Sequence, residues 1–233
     1  MERPDRKMIV LGMDSSQMAT NIALADDSGI LVELSCRSDN NQLAQIIPLV
    51  DFALQSHKRS LADVDLIAAV TGPGLWSSLR IGLTAVRTIS YVNRTPVVAL
   101  SSNDAIACDI KYAGRPVYVM IDAKRKRVYW ARYDCSGPMP ERQGDISLSG
   151  IDKFLEYVEN DSILIGDGVL TFQGNIRALS SKRFFYDAQK QNGIRPGDII
   201  HLAVEKYAKS GASDLSRIVP NYIPNIDSFV SIP

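Results

Sequence analysis

The stretch "VTGPGLWSSLRIGLTAVRTIS", residues 70–90, joins an apolar run to a helix through two glycines, Gly72 and Gly74, and places a third, Gly82, inside that helix. A strand, a glycine turn and a helix start are also the parts of a phosphate-binding loop. A Walker loop needs Lys and then Ser or Thr after its glycines, to reach the phosphates and hold magnesium, and "GPGLWSSL" has no Lys. That nucleotide site is excluded. The helix N-terminus still offers backbone N–H groups and a positive dipole end to an anion, so Gly72 and Gly74 remain phosphate candidates. Glycine turns before helices more often serve turn geometry alone. Within the helix, Ser78, Gly82 and Ala85 recur at i, i+4 and i+7 and leave one face nearly bare. An interior glycine costs roughly 1 kcal/mol against alanine, so a close neighbour is expected to offset it. Leu79, Leu83 and Val86 mark an ordinary core face.

Upstream, "MIVLGMDSS", "TNIALADD" and "ILVELSCRS" read as three successive strands in an antiparallel meander. In "NQLAQIIPLVDFALQSHK" the residues Leu43, Ile46, Ile47, Val50 and Leu54 recur at helical spacing, giving an amphipathic helix. Pro48 must kink this helix or lie in its first turn. "VDLIAAVTG" and "PVVALSS" are continuous apolar strands of the kind buried on both faces, and the helix between them makes a βαβ crossover. Downstream, "PVYVMIDA" and "RVYWARYDC" form a hairpin, "DKFLEYVEN" a short helix, "SILIGDG" a strand and "IIHLAVEKYAKSG" a closing helix, with residues 181–198 read as loop. Two α/β lobes are expected, residues 1–105 and 106–233.

The 233 residues carry 26 basic and 26 acidic side chains, so composition suggests neither an independent nucleic-acid binder nor a membrane-surface protein. Three scattered cysteines, Cys36, Cys108 and Cys135, imply neither a disulfide framework nor a zinc ribbon. "MIVLG" is far too short for a signal segment or a span, and a cytoplasmic location is expected.

Candidate chemistry is sparse. In "GMDSSQMATNIAL" a strand ends in an acid and a small-residue turn, so Asp14, Ser15 and Ser16 fit either a nucleotide phosphate with its metal or a plain β-turn. The two histidines, His57 and His201, lie in no metal-ligand spacing and beside no local nucleophile, so no catalytic residue and no metal ligand is assigned. "DAKRKR", residues 122–127, places four consecutive cations at a hairpin tip, which fits a solvated turn or a contact to an RNA backbone.

Taken together, "GMDSSQMATNIAL", "QLAQIIPLV", "TGPGLWSSLRIGL", "VVALSSNDAIA", "DAKRKRVYWARYD", "LIGDG" and "VPNYI" resemble the TsaB (YeaZ) family in order and spacing along nearly the whole chain. The resemblance implies a two-lobe actin and sugar-kinase-like (ASKHA) fold. It also implies a non-catalytic subunit of the bacterial machinery that places threonylcarbamoyl on the tRNA adenosine next to the anticodon. The implied partners are the catalytic paralogue TsaD, the ATPase TsaE and a second copy of the chain, with tRNA reached through the complex. No cofactor is expected on the isolated chain, and nucleotide or magnesium only at a complex interface. An active phosphotransferase of the same fold and a glycoprotease-like metallopeptidase are the alternatives. Three departures stand out. Gln42 and Ala44 occupy the positions where the family often has His and Glu, Leu75, Trp76 and Ser78 replace Ser, Phe and Gly, and the hairpin "AKRKRVYW" loses a glycine.

The resemblance also implies that the bare helix face is met by a helix of another subunit. Leu49 and Phe52 lie about 60° apart around the first helix, off its core stripe. With Leu75, Trp76, Ser78, Gly82 and Ala85 they make up the expected interface, a four-helix contact across a two-fold axis. On that reading Gly82→Leu and Phe52→Asp separate subunits and leave the monomer folded.

Overall fold

The computed structural model describes residues 7–37, 42–178, 181–187 and 193–223. The chain is α/β and divides into two compact units, one formed by Met1–Ser101 with Ile194–Pro220, the other by Ser102–Gly193 with Asn221–Pro233.

The first unit begins with β1 (Val10–Asp14), β2 (Ala19–Asp26) and β3 (Gly29–Arg37), continues through α1 (Gln42–Gln55), β4 (Leu66–Val70), α2 (Trp76–Asn93) and β5 (Val97–Leu100), and its sheet order is β3-β2-β1-β4-β5. The meander is antiparallel, with Asp14 opposite Asn21, while β1–β4 and β4–β5 are parallel, as the strand-helix-strand pattern requires. β4 is buried at all five positions, which is why it reads as an unbroken apolar run. Alternate residues Ile9, Leu11, Met13, Ile22, Leu24, Ile67 and Ala69 join Ile46, Val50, Leu54, Leu83, Val86 and Ile89 of the two helices in one core. Pro48 lies inside α1 on its exposed side. Ile47 departs from the expected stripe: it is 54% exposed, and Ala53 fills the core in its stead. The side chain of Leu43 lies outside the described residues.

In the second unit α3 (Ser102–Ala107) leads into β6 (Val117–Asp122) and β7 (Arg127–Asp134), an antiparallel hairpin as expected. Then follow β8 (Glu141–Arg142), β9 (Ser147–Gly150), α4 (Ile151–Tyr157), β10 (Ser162–Ile165), α5 (Asp167–Thr171), α6 (Gln173–Ala178) and β11 (Phe184–Phe185). The sheet order is β11-β10-β6-β7-β8, with β9 on β7. β11 falls in the segment read as loop; two residues are too short to show a strand period. Tyr118 of β6, Trp130 of β7 and Phe154 of α4 pack as an aromatic group, edge-to-face between Tyr118 and Phe154 and tilted in the other two pairs.

The closing helix, α7 (Pro196–Ser210), belongs to the first unit, not to a lobe of residues 106–233. Its apolar side, Ile199, Ile200 and Ala203, is buried, and the absent side chain of Gly12 on β1 makes room for it: a Cβ there would meet Ile200 Cδ1 at 3.1 Å and Ile199 Cγ2 at 3.4 Å. The Gly197 N–H at its start donates to Glu33 Oε1 at 2.6 Å, a carboxylate on the positive helix end. The linear division fails because an amphipathic helix does not reveal which sheet it covers. Ile199→Ala, at a fully buried site, is expected to lower stability by about 2–5 kcal/mol, read as a shift in the urea midpoint with an unchanged m-value. A cost near zero would remove α7 from the core.

Candidate functional site

The loop between β1 and β2 brings the candidate residues of the first unit together. Asp14 is 3% exposed; its Oδ1 accepts the Ser16 N–H at 2.7 Å and its Oδ2 accepts Asn21 Nδ2 at 2.8 Å. Burial raises the Asp14 pKa above the ordinary carboxylate value, opposed by those hydrogen bonds. Both oxygens therefore have partners inside the chain, and the acid acts as an Asx clamp on the turn.

The turn is held from the other side by the glycine loop and α2. Leu75 N–H donates to the Ser16 carbonyl at 2.7 Å, and Ser15 Oγ donates to the Ser78 carbonyl at 2.8 Å. A Cβ on Gly74 would overlap the Ser16 carbonyl oxygen, and one on Gly82 would overlap Ser15 Oγ while meeting Ile46 Cδ1 at 3.8 Å. Gly72 has φ +103°, a conformation that favours glycine. Asp14, Ser15, Ser16, Gly72 and Gly74 thus converge on one packed turn. Ser16 Oγ, Thr20 Oγ1 and Asn21 Oδ1 lie buried there with no hydrogen-bond partner among the described residues.

This geometry corrects the reading of the bare helix face. Ser78 is 4% exposed and Gly82 is buried, both within the first unit. The neighbour that the small residues admit is the chain's own Ser15–Ser16 turn, so Ser78 and Gly82 are not on an open surface. The rest of the expected interface is accessible to different degrees. Phe52 is 61% and Trp76 57% exposed, whereas Leu49, Leu75 and Ala85 are half-buried, Leu49 and Ala85 packing against the core. The Arg80 guanidinium lies 3.5 Å from the centroid of the Trp76 ring and stiffens it.

In the second unit the structure pairs two stretches that sequence spacing left apart. The Asp122 N–H donates to Asp167 Oδ1 at 2.9 Å, Lys124 Nζ donates to Asp122 Oδ2 at 2.8 Å, and Thr171 Oγ1 reaches Asp122 Oδ2 at 3.4 Å. Burial pushes the Asp167 carboxyl up to about 6, with repulsion from Asp122 adding to it and Lys124 opposing it. "DAKRKR" reads as a hairpin tip and "SILIGDG" as a strand, but 45 residues separate the partners. Only a shared sheet joins them. Among the described residues no group of three or more His, Cys, Asp or Glu is placed to hold a metal, and no helix is long and apolar enough to cross a membrane. The side chain of Gln42 lies outside the described residues.

The fold is the α/β fold of YeaZ: the chain matches the structure of YeaZ from Pseudomonas aeruginosa with a TM-score of 0.76 at 22% identity, covering 93% of this chain and 100% of that one. The family model for TsaD, tRNA N6-adenosine threonylcarbamoyltransferase, matches residues 28–161. Along almost their full lengths the chain is also similar to two proteins called tRNA threonylcarbamoyladenosine biosynthesis protein TsaB. With that of Bacillus subtilis it is 23% identical over 93% of this chain and 94% of the relative, and with that of Escherichia coli 28% identical over 97% and 99%. The chain belongs to the TsaB/YeaZ family, whose members share the TsaD family model.

Two measurements test the geometry. Gly82→Ala is expected to cost about 1–3 kcal/mol, as overpacking of a close contact does, and Ser15→Ala in the same chain to recover part of it by removing the hydroxyl. Strict additivity of the two changes would reject the contact. For Asp167 the native state keeps a proton between its ordinary value of 3.8 and about 6 that the unfolded chain has lost. The Asp167 contribution to stability should therefore fall as pH rises through that window and stay level above it, and Asp167→Asn should reduce the slope measured there in urea titrations. A slope unchanged by Asp167→Asn would refute the assignment.

Proposed function

We propose that this chain is a non-catalytic subunit of the tRNA threonylcarbamoyladenosine-forming assembly and works by binding and supporting its catalytic paralogue TsaD. The observation that carries this reading is the near end-to-end similarity to proteins named for that biosynthesis. The two units are read as the lobes of an ASKHA fold, an N-terminal lobe carrying the docking helices and a C-terminal one. TsaE and a second copy of the chain are the further partners, with tRNA reached through the complex in the cytoplasm and any nucleotide or magnesium taken at a complex interface.

The docking surface is the outer side of α1 and α2. Phe52 and Trp76 are its aromatic anchors, and Leu49, Leu75 and Ala85 border them. Large exposed aromatics that become desolvated on association are the side chains that carry most binding energy. A phosphotransferase reading is disfavoured by the inward-turned Asp14, whose two oxygens are already engaged by Ser16 and Asn21. Calorimetry with ATP and magnesium on the lone chain separates the readings: tight binding there would favour the phosphotransferase.

Co-purification with the TsaD paralogue is the direct test, and failure to associate would overturn the proposal. Phe52→Asp, at an exposed site, is expected to weaken that association about 30-fold or more while circular dichroism and thermal melting stay at wild-type values. A folded Phe52→Asp chain that binds TsaD undiminished would exclude this face.

A further inference from the structure

The hairpin between β6 and β7 breaks a local rule. Lys124, Arg125 and Lys126 at its tip have φ of 61°, 53° and 58°. The Arg127 N–H donates to the Lys124 carbonyl at 3.1 Å, closing a four-residue turn whose two central residues are both left-handed, as in a type I′ turn. Such turns select Asn and Gly because a side chain in the left-handed region costs about 1–2 kcal/mol per residue. Here the sequence places Arg and Lys instead.

Backbone bonds hold the turn, among them the Ile151 N–H to the Lys126 carbonyl at 3.0 Å, but glycine would make them equally well, and they do not account for the two side chains. Lys124 is tied to Asp122 at 2.8 Å and fixes the base of the turn, and Arg127 is half-buried. The side chains of Arg125 and Lys126 are exposed and make no hydrogen bond or ion pair with any described residue. A costly backbone conformation that presents two unpartnered cations points to a use outside the chain.

We propose that the 124–126 tip grips the sugar–phosphate backbone of RNA through Arg125 and Lys126, while Lys124 braces the turn against Asp122. The choice of RNA as the polyanion rests on the tRNA-modifying role proposed above. An acidic protein surface fits the tip less well: protein interfaces are built on aromatic and apolar anchors and are depleted in Lys, whereas phosphates are contacted chiefly by Arg and Lys. The three tip residues are all cationic and offer no apolar anchor. The contact would be blind to base sequence and sensitive to salt.

The discriminating change is Arg125→Gly with Lys126→Gly, since glycine accepts the left-handed backbone and removes only the side chains. The complex with TsaD is titrated with an unmodified tRNA at a series of salt concentrations, beside a control carrying Lys58→Gln and Lys111→Gln at two other exposed lysines. The glycine variant is expected to keep its melting temperature and its association with TsaD, bind RNA more weakly, and flatten the plot of log Kobs against log salt by about two. The control should leave that slope unchanged. Unchanged RNA affinity in the glycine variant, or an equal loss in the control, would overturn the proposal and leave the TsaD partnership standing. Loss of TsaD association with RNA binding intact would assign the tip to a protein partner. Should no complex with TsaD form, the role proposed above fails, and the same titration on the chain alone decides the tip by the same slope.

Discussion

Two carbonyls and one hydroxyl organise the first unit. The Ser15–Ser16 turn leaves β1 and comes so close to the glycine loop and to α2 that neither Gly74 nor Gly82 has room for a Cβ. Ser16 offers its carbonyl to the Leu75 N–H at the start of α2, and Ser15 gives its hydroxyl to the Ser78 carbonyl one turn on. Asp14 holds the turn from behind. An unpartnered polar group buried here would cost about 1–3 kcal/mol, so these bonds fix where α2 starts as well as satisfying the loop. From that start follow the burial of Leu79, Leu83 and Val86 and the position of α1 over the same sheet.

The same contact shows what a pattern of small residues can reveal. Ser78, Gly82 and Ala85 announce that something approaches α2 closely, and that inference from spacing was sound. Its identity was not in the spacing, because a hairpin turn 63 residues upstream and a helix from a second subunit ask for the same absence of side chain. The strands were legible for a firmer reason: β4 and β5 are nearly buried throughout, so their apolar runs admit few other fates. The stripe of α1 was legible except at its edge, where Ile47 continues the helical period but lies just beyond the arc that the core covers. The closing helix showed its amphipathic period plainly and its location not at all. The Asp122–Asp167 pair was hidden likewise, since only the parallel pairing of β6 with β10 brings the two turns together.

With the inner face of α2 closed by the chain's own turn, the proposed partner contact falls on the outer surface. That surface is mixed. On α2 it runs from Trp76 through Arg80, Thr84 and Arg87 to Tyr91 and Val92, and on α1 it holds Pro48, Asp51 and Phe52. In the proposed contact a few aromatic anchors would supply the apolar area that association hides, inside a polar rim. The Arg80 stack on Trp76 fits such a role, since an anchor already held in one orientation loses less freedom on binding than a loose one.

Close backbone geometry is met in two ways in this chain. In the first unit, glycines sit where the backbone needs them: Gly72 at a positive φ, Gly74 and Gly82 where another segment touches. At these three positions the sequence follows the local rule, whereas exposed Lys58 and Arg94 of the same unit take positive φ just past the ends of α1 and α2. In the β6–β7 hairpin the backbone makes an equal demand and the sequence refuses it, setting Lys124, Arg125 and Lys126 at positive φ in solvent. The Lys124 side chain is accounted for by Asp122, but those of Arg125 and Lys126 are exposed and make no bond with any described residue, so packing does not explain them. Where a local preference is violated with no internal compensation, the compensation has to be sought in what the protein binds.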